Sequence, residues 1–191
     1  MKTYAGIGAR SLKPEQQPIV TKVATYLAHK GYTVHSGAAD GVDQWFSDAA
    51  TQAGGKAVLH VPWAKHSLEY REALAENPLV ETRILQADRP HRDVEAFASV
   101  EQYHPAPNKL SWGARCLHAR NYRILVPDAP VQFVVAYPSA WGGGTMQGVR
   151  VAESLGIPVV RLDELKPKEV RVELDRLVLQ HASSSSVDET A

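Results

Sequence analysis

Apolar positions recur along this chain with two alternating periods. Residues 2–7 form a short apolar-leaning run ending in Gly6-Ile7-Gly8, the pattern of a buried strand entering a tight turn. From about Pro14, the positions Ile19, Val20, Val23, Ala24 and Leu27 follow helical spacing, with Pro14 suited to a first turn and Gly31 to the left-handed C′ position. Tyr32-Thr33-Val34-His35 predicts a second strand, Ser36 to Gly41 a turn, and the next residues a helix to about Ala53. Gly54-Gly55 breaks that helix, and Lys56 to Val61 predicts a third strand. Strand and helix alternating in this way predict an α/β fold, a doubly wound parallel sheet with crossover helices.

The rhythm breaks over residues 62–112. Prolines at 62, 78, 90, 105 and 107, mixed charges and weak periodicity predict an insertion after the third strand, with one helix near 67–76. Alternation resumes with a helix from Ala114 to Leu125, a strand from Val131 to Ala136, a Gly142-Gly143-Gly144 loop, a helix from Thr145 to Leu155 and a strand from Ile157 to Val160. Val170, Leu174, Leu177 and Val178 have the spacing of one amphipathic helix, although Val170, Val172 and Leu174 also alternate as an edge strand would. Residues 1–180 therefore read as a single domain, and the serine-rich 181–191 as a disordered tail.

Composition narrows the field. The chain has 191 residues, 44% hydrophobic and 22% charged, with 21 Lys and Arg against 21 Asp and Glu. Net zero charge excludes a globally cationic binder of nucleic acid or membrane, so any such binding uses a local patch. The single cysteine, Cys116, has no intrachain disulfide partner, and the eight histidines show no metal-ligand spacing, so neither a metal nor a cofactor is expected. The start lacks the apolar run of a signal peptide, and no segment reaches membrane-span length, which gives a cytoplasmic expectation with no membrane partner.

Three loops follow three predicted strands, where ligands gather at the carboxyl edge of a doubly wound sheet. In Gly6-Ile7-Gly8-Ala9-Arg10, glycines admit a ligand to the backbone and Arg10 offers a forked cation for phosphate; the alternative is a plain tight turn. In Ser36-Gly37-Ala38-Ala39-Asp40-Gly41-Val42-Asp43, Asp40 and Asp43 are placed for ribose hydroxyls or glycosidic chemistry, or as helix caps. In Trp141-Gly142-Gly143-Gly144-Thr145-Met146-Gln147, a glycine-rich turn enters a helix, suiting a phosphate cradle or a flexible connection. No lysine follows, so this is not a Walker A loop. If the strands at 2–7 and 131–136 are neighbours, Arg10 and the Gly143-Gly144-Thr145 turn face each other across the switch point. Between Gln102 and Pro127 the chain has no acidic residue but carries Lys109, Arg115, Arg120 and Arg123, with Trp112 and Tyr122 interleaved as in single-strand binders.

Together these stretches carry a resemblance. Tyr4 to Arg10, Gly31 to Asp43 and Ala53 to Leu59 resemble the Rossmann core of the DNA-processing protein DprA family. Leu117-His118-Ala119-Arg120-Asn121 with Gly142 to Thr145 is similar to the LOG phosphoribohydrolases. Both families are SLOG superfamily domains, and the combination looks most like small phage or prophage members, which would place it in a host cytoplasm. The resemblance covers roughly 3–61 and 114–161. It implies binding of a nucleotide or nucleotide-derived small molecule, such as a signalling nucleotide, by Gly8, Ala9, Arg10, Ser36, Gly37, Ala39, Asp40, Arg120, Asn121, Gly143, Gly144, Thr145 and Gln147. One alternative is an N-glycosidase acting on a nucleoside monophosphate, with Arg120 matching the LOG catalytic arginine. Gln147 and Gly148 stand where those enzymes carry a glutamate, so Asp40 or Asp43 would supply the acid. The other alternative is DprA-like single-stranded DNA binding. SLOG relatives commonly assemble, so a homo-oligomer is expected, with some of Trp45, Phe46, Trp63 and Trp112 at its interface.

Overall fold

The computed structural model describes residues 1–85, 93–140 and 143–184. Six parallel strands form one sheet: β1 (Thr3–Gly8), β2 (Thr33–Ser36), β3 (Ala57–Val61), β4 (Val80–Ile84), β5 (Val134–Tyr137) and β6 (Val159–Arg161). Their order is β4-β3-β2-β1-β5-β6, so the chain winds outward on one side, returns, and then winds outward on the other. β1 pairs β2 on one flank and β5 on the other, with Ala5 opposite both His35 and Val134. The switch point of this Rossmann-like sheet thus lies between β1 and β5, which meets the condition for the loops after them to face each other.

Among the described residues, seven α-helices cover the two faces: α1 (Gln17–His29), α2 (Val42–Gln52), α3 (Leu68–Ala73), α4 (Val94–Tyr103), α5 (Trp112–Leu125), α6 (Gly144–Ser154) and α7 (Pro167–Ser184). Period-two alternation in β1 and β5 divides the core. Tyr4, Val135 and Tyr137 point toward α1, α2 and α7, while Ala5, Ile7, Val134 and Ala136 point toward α4, α5 and α6. On the first face, Tyr4 stacks on Phe133 at a centroid distance of 5.9 Å, and Phe46 meets Tyr4 edge-on at 6.2 Å. Phe46 is completely buried there, which accounts for it by core packing rather than by a subunit contact.

Segment 62–112 is more regular than its sequence suggests. Beyond the expected helix near 67–76 it supplies β4 and α4. Strand β4 is hard to read because Val-Glu-Thr-Arg-Ile lies at the sheet edge with only partial burial, and Arg83 turns back to Glu81 and to Asp128. Helix α4 starts at Asp93, whose carboxylate accepts from the Ala96 amide at 3.3 Å. The C-terminal choice between helix and edge strand resolves to α7, anchored by Val170, Leu174 and Leu177 in the first core. This helix runs through Ser184, into the segment expected to be tail, with His181 against the Phe133 ring. The rest of that tail, like Trp141 and Gly142 of the third loop, lies outside the described residues. Among the described residues, no helix is long and apolar enough to cross a membrane.

Candidate functional site

The ends of β1 and β5, the start of α6 and one face of α5 enclose a crevice of about 360 Å³ at the switch point. Gly8, Ala9, Arg10, Ala39, Asp43, Arg120, Asn121, Gly143, Gly144 and Thr145 all line it. The two loops expected to face each other therefore do.

Their roles differ from what glycine content suggests. The Gly8 amide already donates to Asp43 Oδ1 at 3.0 Å, and the Ala9 amide to the Tyr137 carbonyl at 3.0 Å. The first loop therefore offers a ligand Arg10 rather than backbone donors. Arg10 is exposed and makes no ion pair among the described residues. Open amides are supplied instead by α6. Its N-cap is Gly143, held at φ 81, and among the described residues no side chain caps the amides of the first turn. That helix start carries the positive end of the α6 dipole.

The floor is an ion pair. Arg120 Nη1 lies 3.6 Å from Asp43 Oδ2, with 5% and 7% of the two side chains exposed. Burial pushes the Asp43 carboxyl up and the Arg120 guanidinium down, and each charge opposes the shift of the other. Arg120 Nε has no partner among the described residues. Asp43 sits in the first turn of α2, but the N-cap is Gly41, so neither Asp40 nor Asp43 caps this helix by its side chain.

Four anticipated contact residues are not on the crevice wall. Ser36 is buried, its hydroxyl donating to the Gly6 carbonyl at 2.7 Å and to the Asp43 carbonyl at 3.2 Å. Gly37 lies behind Arg120. Asp40 is exposed and accepts from Gln44 Nε2 at 3.1 Å. Gln147 is buried, its Oε1 accepting from Asn121 Nδ2 at 3.2 Å; the same Asn121 nitrogen donates to the Gly144 carbonyl and so fixes the turn. Conversely, His118 and Ser139 line the crevice and were not anticipated in it; the i, i+3 spacing of His118 and Asn121 on α5 was the available signal.

The basic run on α5 is largely neutralised. Arg115 pairs with Glu101, Arg123 with Asp93 at 2.5 Å and Glu95 at 3.2 Å, and the Tyr122 hydroxyl donates to Glu95 at 2.5 Å. The acidic partners come from α4, inside the segment the sequence leaves unassigned. Trp112 is exposed but stacks flat on Phe97 at 5.3 Å.

A six-stranded parallel sheet with a crevice at its switch point defines the class: a Rossmann-like α/β domain. Residues 1–92, just under half of the chain, match the family model described as DNA recombination-mediator protein A, so this part of the chain is similar to the DprA family. Among solved structures, TM1055 aligns with a TM-score of 0.53 at 23% identity, over 83% of this chain and 72% of that one. DNA processing protein A from Helicobacter pylori, whose structure concerns its single-stranded DNA binding mode, aligns at 0.50 and 15% identity, over 98% and 81%. DprA from Streptococcus pneumoniae gives 0.43 and 17%, over 90% of this chain and 61% of its own length. At these identities the likeness to solved structures is one of fold. No curated protein matches the chain.

Proposed function

We propose that the chain binds single-stranded DNA by seating one backbone phosphate in the crevice between the β1 and β5 loops. The observation that carries this reading is Arg10, a forked cation with no ion pair among the described residues, lining the same crevice as the first-turn α6 amides, which no described side chain caps. Directed donors and a cation converging from two strands suit a phosphate better than a carboxylate or a neutral sugar. The DprA family match and the single-stranded DNA binding of the Helicobacter pylori relative support a DNA strand as the source of that phosphate. Because the cations along α5 are paired, the affinity comes from the crevice and only a few phosphates are neutralised. The salt dependence is accordingly shallow.

A free nucleotide is the second reading, favoured by the size of the crevice, which lies within the range of small-molecule sites. Cleavage of an N-glycoside is less well served. Asp43 is the carboxylate that lines the crevice, and its charge is held by Gly8 and Arg120. Fluorescence anisotropy with a labelled oligonucleotide at low salt, followed by competition with nucleoside monophosphates, tests both. Oligonucleotide binding that millimolar mononucleotide does not displace supports the first reading. Retention of a mononucleotide with no oligonucleotide binding transfers the conclusion to the second, and binding of neither rejects both.

A further inference from the structure

The loop between β3 and α3 is braced more heavily than a simple connection requires. Arg71, on α3, folds back over it: Nε donates to the His66 carbonyl at 2.9 Å, and Nη2 donates to the Ala64 carbonyl. The His66 amide donates to the Trp63 carbonyl at 3.1 Å. Ser67 closes the loop at φ 47, in the left-handed region that a residue with a β carbon seldom occupies. These constraints fix two rings edge to face, Trp63 and His66, with centroids 5.5 Å apart and planes at 86°. The indole is nevertheless 37% exposed, although aromatic packing partners abound in the core.

Topology puts these rings at the carboxyl edge. Their loop leaves the end of β3, which pairs with β2, and the loop after β2 and the start of α2 supply Ala39 and Asp43 to the crevice. Ala38 of that loop packs in one small cluster with Leu59 and Val61 of β3. The His66 ring also feels the crevice charges. Burial, Arg120 and Arg10 hold its proton off, against Asp40, and its pKa is pushed down to about 4. A neutral imidazole beside the indole imposes no charge of its own on a neighbouring ligand.

We infer that Trp63 is a nucleobase-stacking subsite beside the phosphate crevice, with His66 as the residue that positions its ring. The inference rests on the phosphate reading above, because the phosphate is what brings a base to this side of the sheet edge. An indole face accepts any base, so the subsite adds affinity without sequence preference. Its contribution is about five- to hundredfold in affinity.

The test compares a thymidine oligomer with an abasic strand of equal length, each titrated with the wild type, Trp63→Ala and Trp63→Phe. Wild type should bind the thymidine strand more tightly by the factor above. Trp63→Ala should abolish that difference while leaving abasic affinity unchanged, and Trp63→Phe should keep part of it even if the alanine variant is poorly folded. Equal wild-type binding of both strands, or equal loss on both in the variants, overturns the stacking subsite and leaves the phosphate reading standing. A variant that changes the elution volume rather than strand preference reassigns the indole to a contact between copies of this chain. Failure of wild type to bind either strand removes the phosphate reading and this one with it.

Discussion

Arg120 and Asp43 face each other across the crevice floor, and the space for that contact is made by Gly37. A β carbon at position 37 would lie 1.5 Å from Arg120 Nη1 and 2.4 Å from Asp43 Oδ2. The pair ties α5 to the start of α2, and through the Gly8 amide to the end of β1. Three elements that meet at the switch point are thus braced by one buried contact.

Removing either partner strands the other charge in the interior. Asp43→Asn and Arg120→Met should each lower unfolding free energy by about 3–5 kcal/mol, and the double variant by less than the sum. Urea denaturation of the four proteins measures this. Single variants indistinguishable from wild type would mean that the pair is solvated and carries no structural burden.

Gly37→Ala tests the same contact from behind. The methyl group has no room unless Arg120 moves, so the expected outcome is lost stability together with weaker oligonucleotide binding. Restored stability in Gly37→Ala with Arg120→Met would trace the clash to the guanidinium. No restoration would place the strain in the backbone instead.

Arg10→Ala should weaken binding of a phosphorylated ligand about ten- to hundredfold, through loss of a charge-assisted hydrogen bond of roughly 1.5–3 kcal/mol. Arg10 is exposed, so its thermal unfolding midpoint should not move. Thr145→Ala should act in the same direction. Isothermal titration with a nucleotide and its unphosphorylated nucleoside separates the roles: equal loss on both would move these residues from the phosphate to the base or ribose.

Acid should destabilise the fold through a buried histidine pair. His35 Nδ1 lies 2.9 Å from His60 Nε2, one ring donating and the other accepting. Burial, with Arg83 nearby, pushes His35 from the ordinary 6.5 down to about 4; burial and His35 push His60 well down too. Below pH 6.5 the unfolded chain takes up protons that the folded one refuses, so stability is lost from there toward pH 4. His35 alone accounts for about 3 kcal/mol of that loss. Urea midpoints should be flat above pH 7 and fall below 6.5. The slope should shrink in His35→Gln/His60→Gln, with His66 supplying a remainder of the same sign. An unchanged slope in that variant would assign the acid sensitivity elsewhere.

Much of this architecture was legible because period and punctuation agreed. β1, β3 and β5 are short, mostly apolar runs, β2 lies between the Gly31 break and the small-residue turn at 37–41, and Gly31 sits at φ 78 in the left-handed position that ends α1. β4 was not legible because an edge strand with no fully buried residue reads as mixed polarity. The crevice was half legible. Arg10 and the Gly143-Gly144-Thr145 turn meet because β1 and β5 are neighbours, an adjacency the sequence pattern could state only as a condition. That Gly8 and Ala9 had spent their amides was not readable, because their acceptors lie on Asp43 and Tyr137, far along the chain. The α5 cations looked like a nucleic-acid patch for a related reason: the carboxylates that neutralise Arg115 and Arg123 are on α4 or at its N-cap, which the sequence pattern did not reveal.

The pairing of β1 with β5 also sets a timetable for synthesis. A contact such as Thr3 to Gln132 spans 129 residues, so β1 emerges from the ribosome with one edge open. At typical elongation rates that edge waits on the order of ten seconds for its partner. β2 and β3 can dock meanwhile, but the central strand keeps a row of bare amides and carbonyls until the second half arrives. Chains stalled before Val134 should therefore be the aggregation-prone species, held in solution by whatever shields that edge.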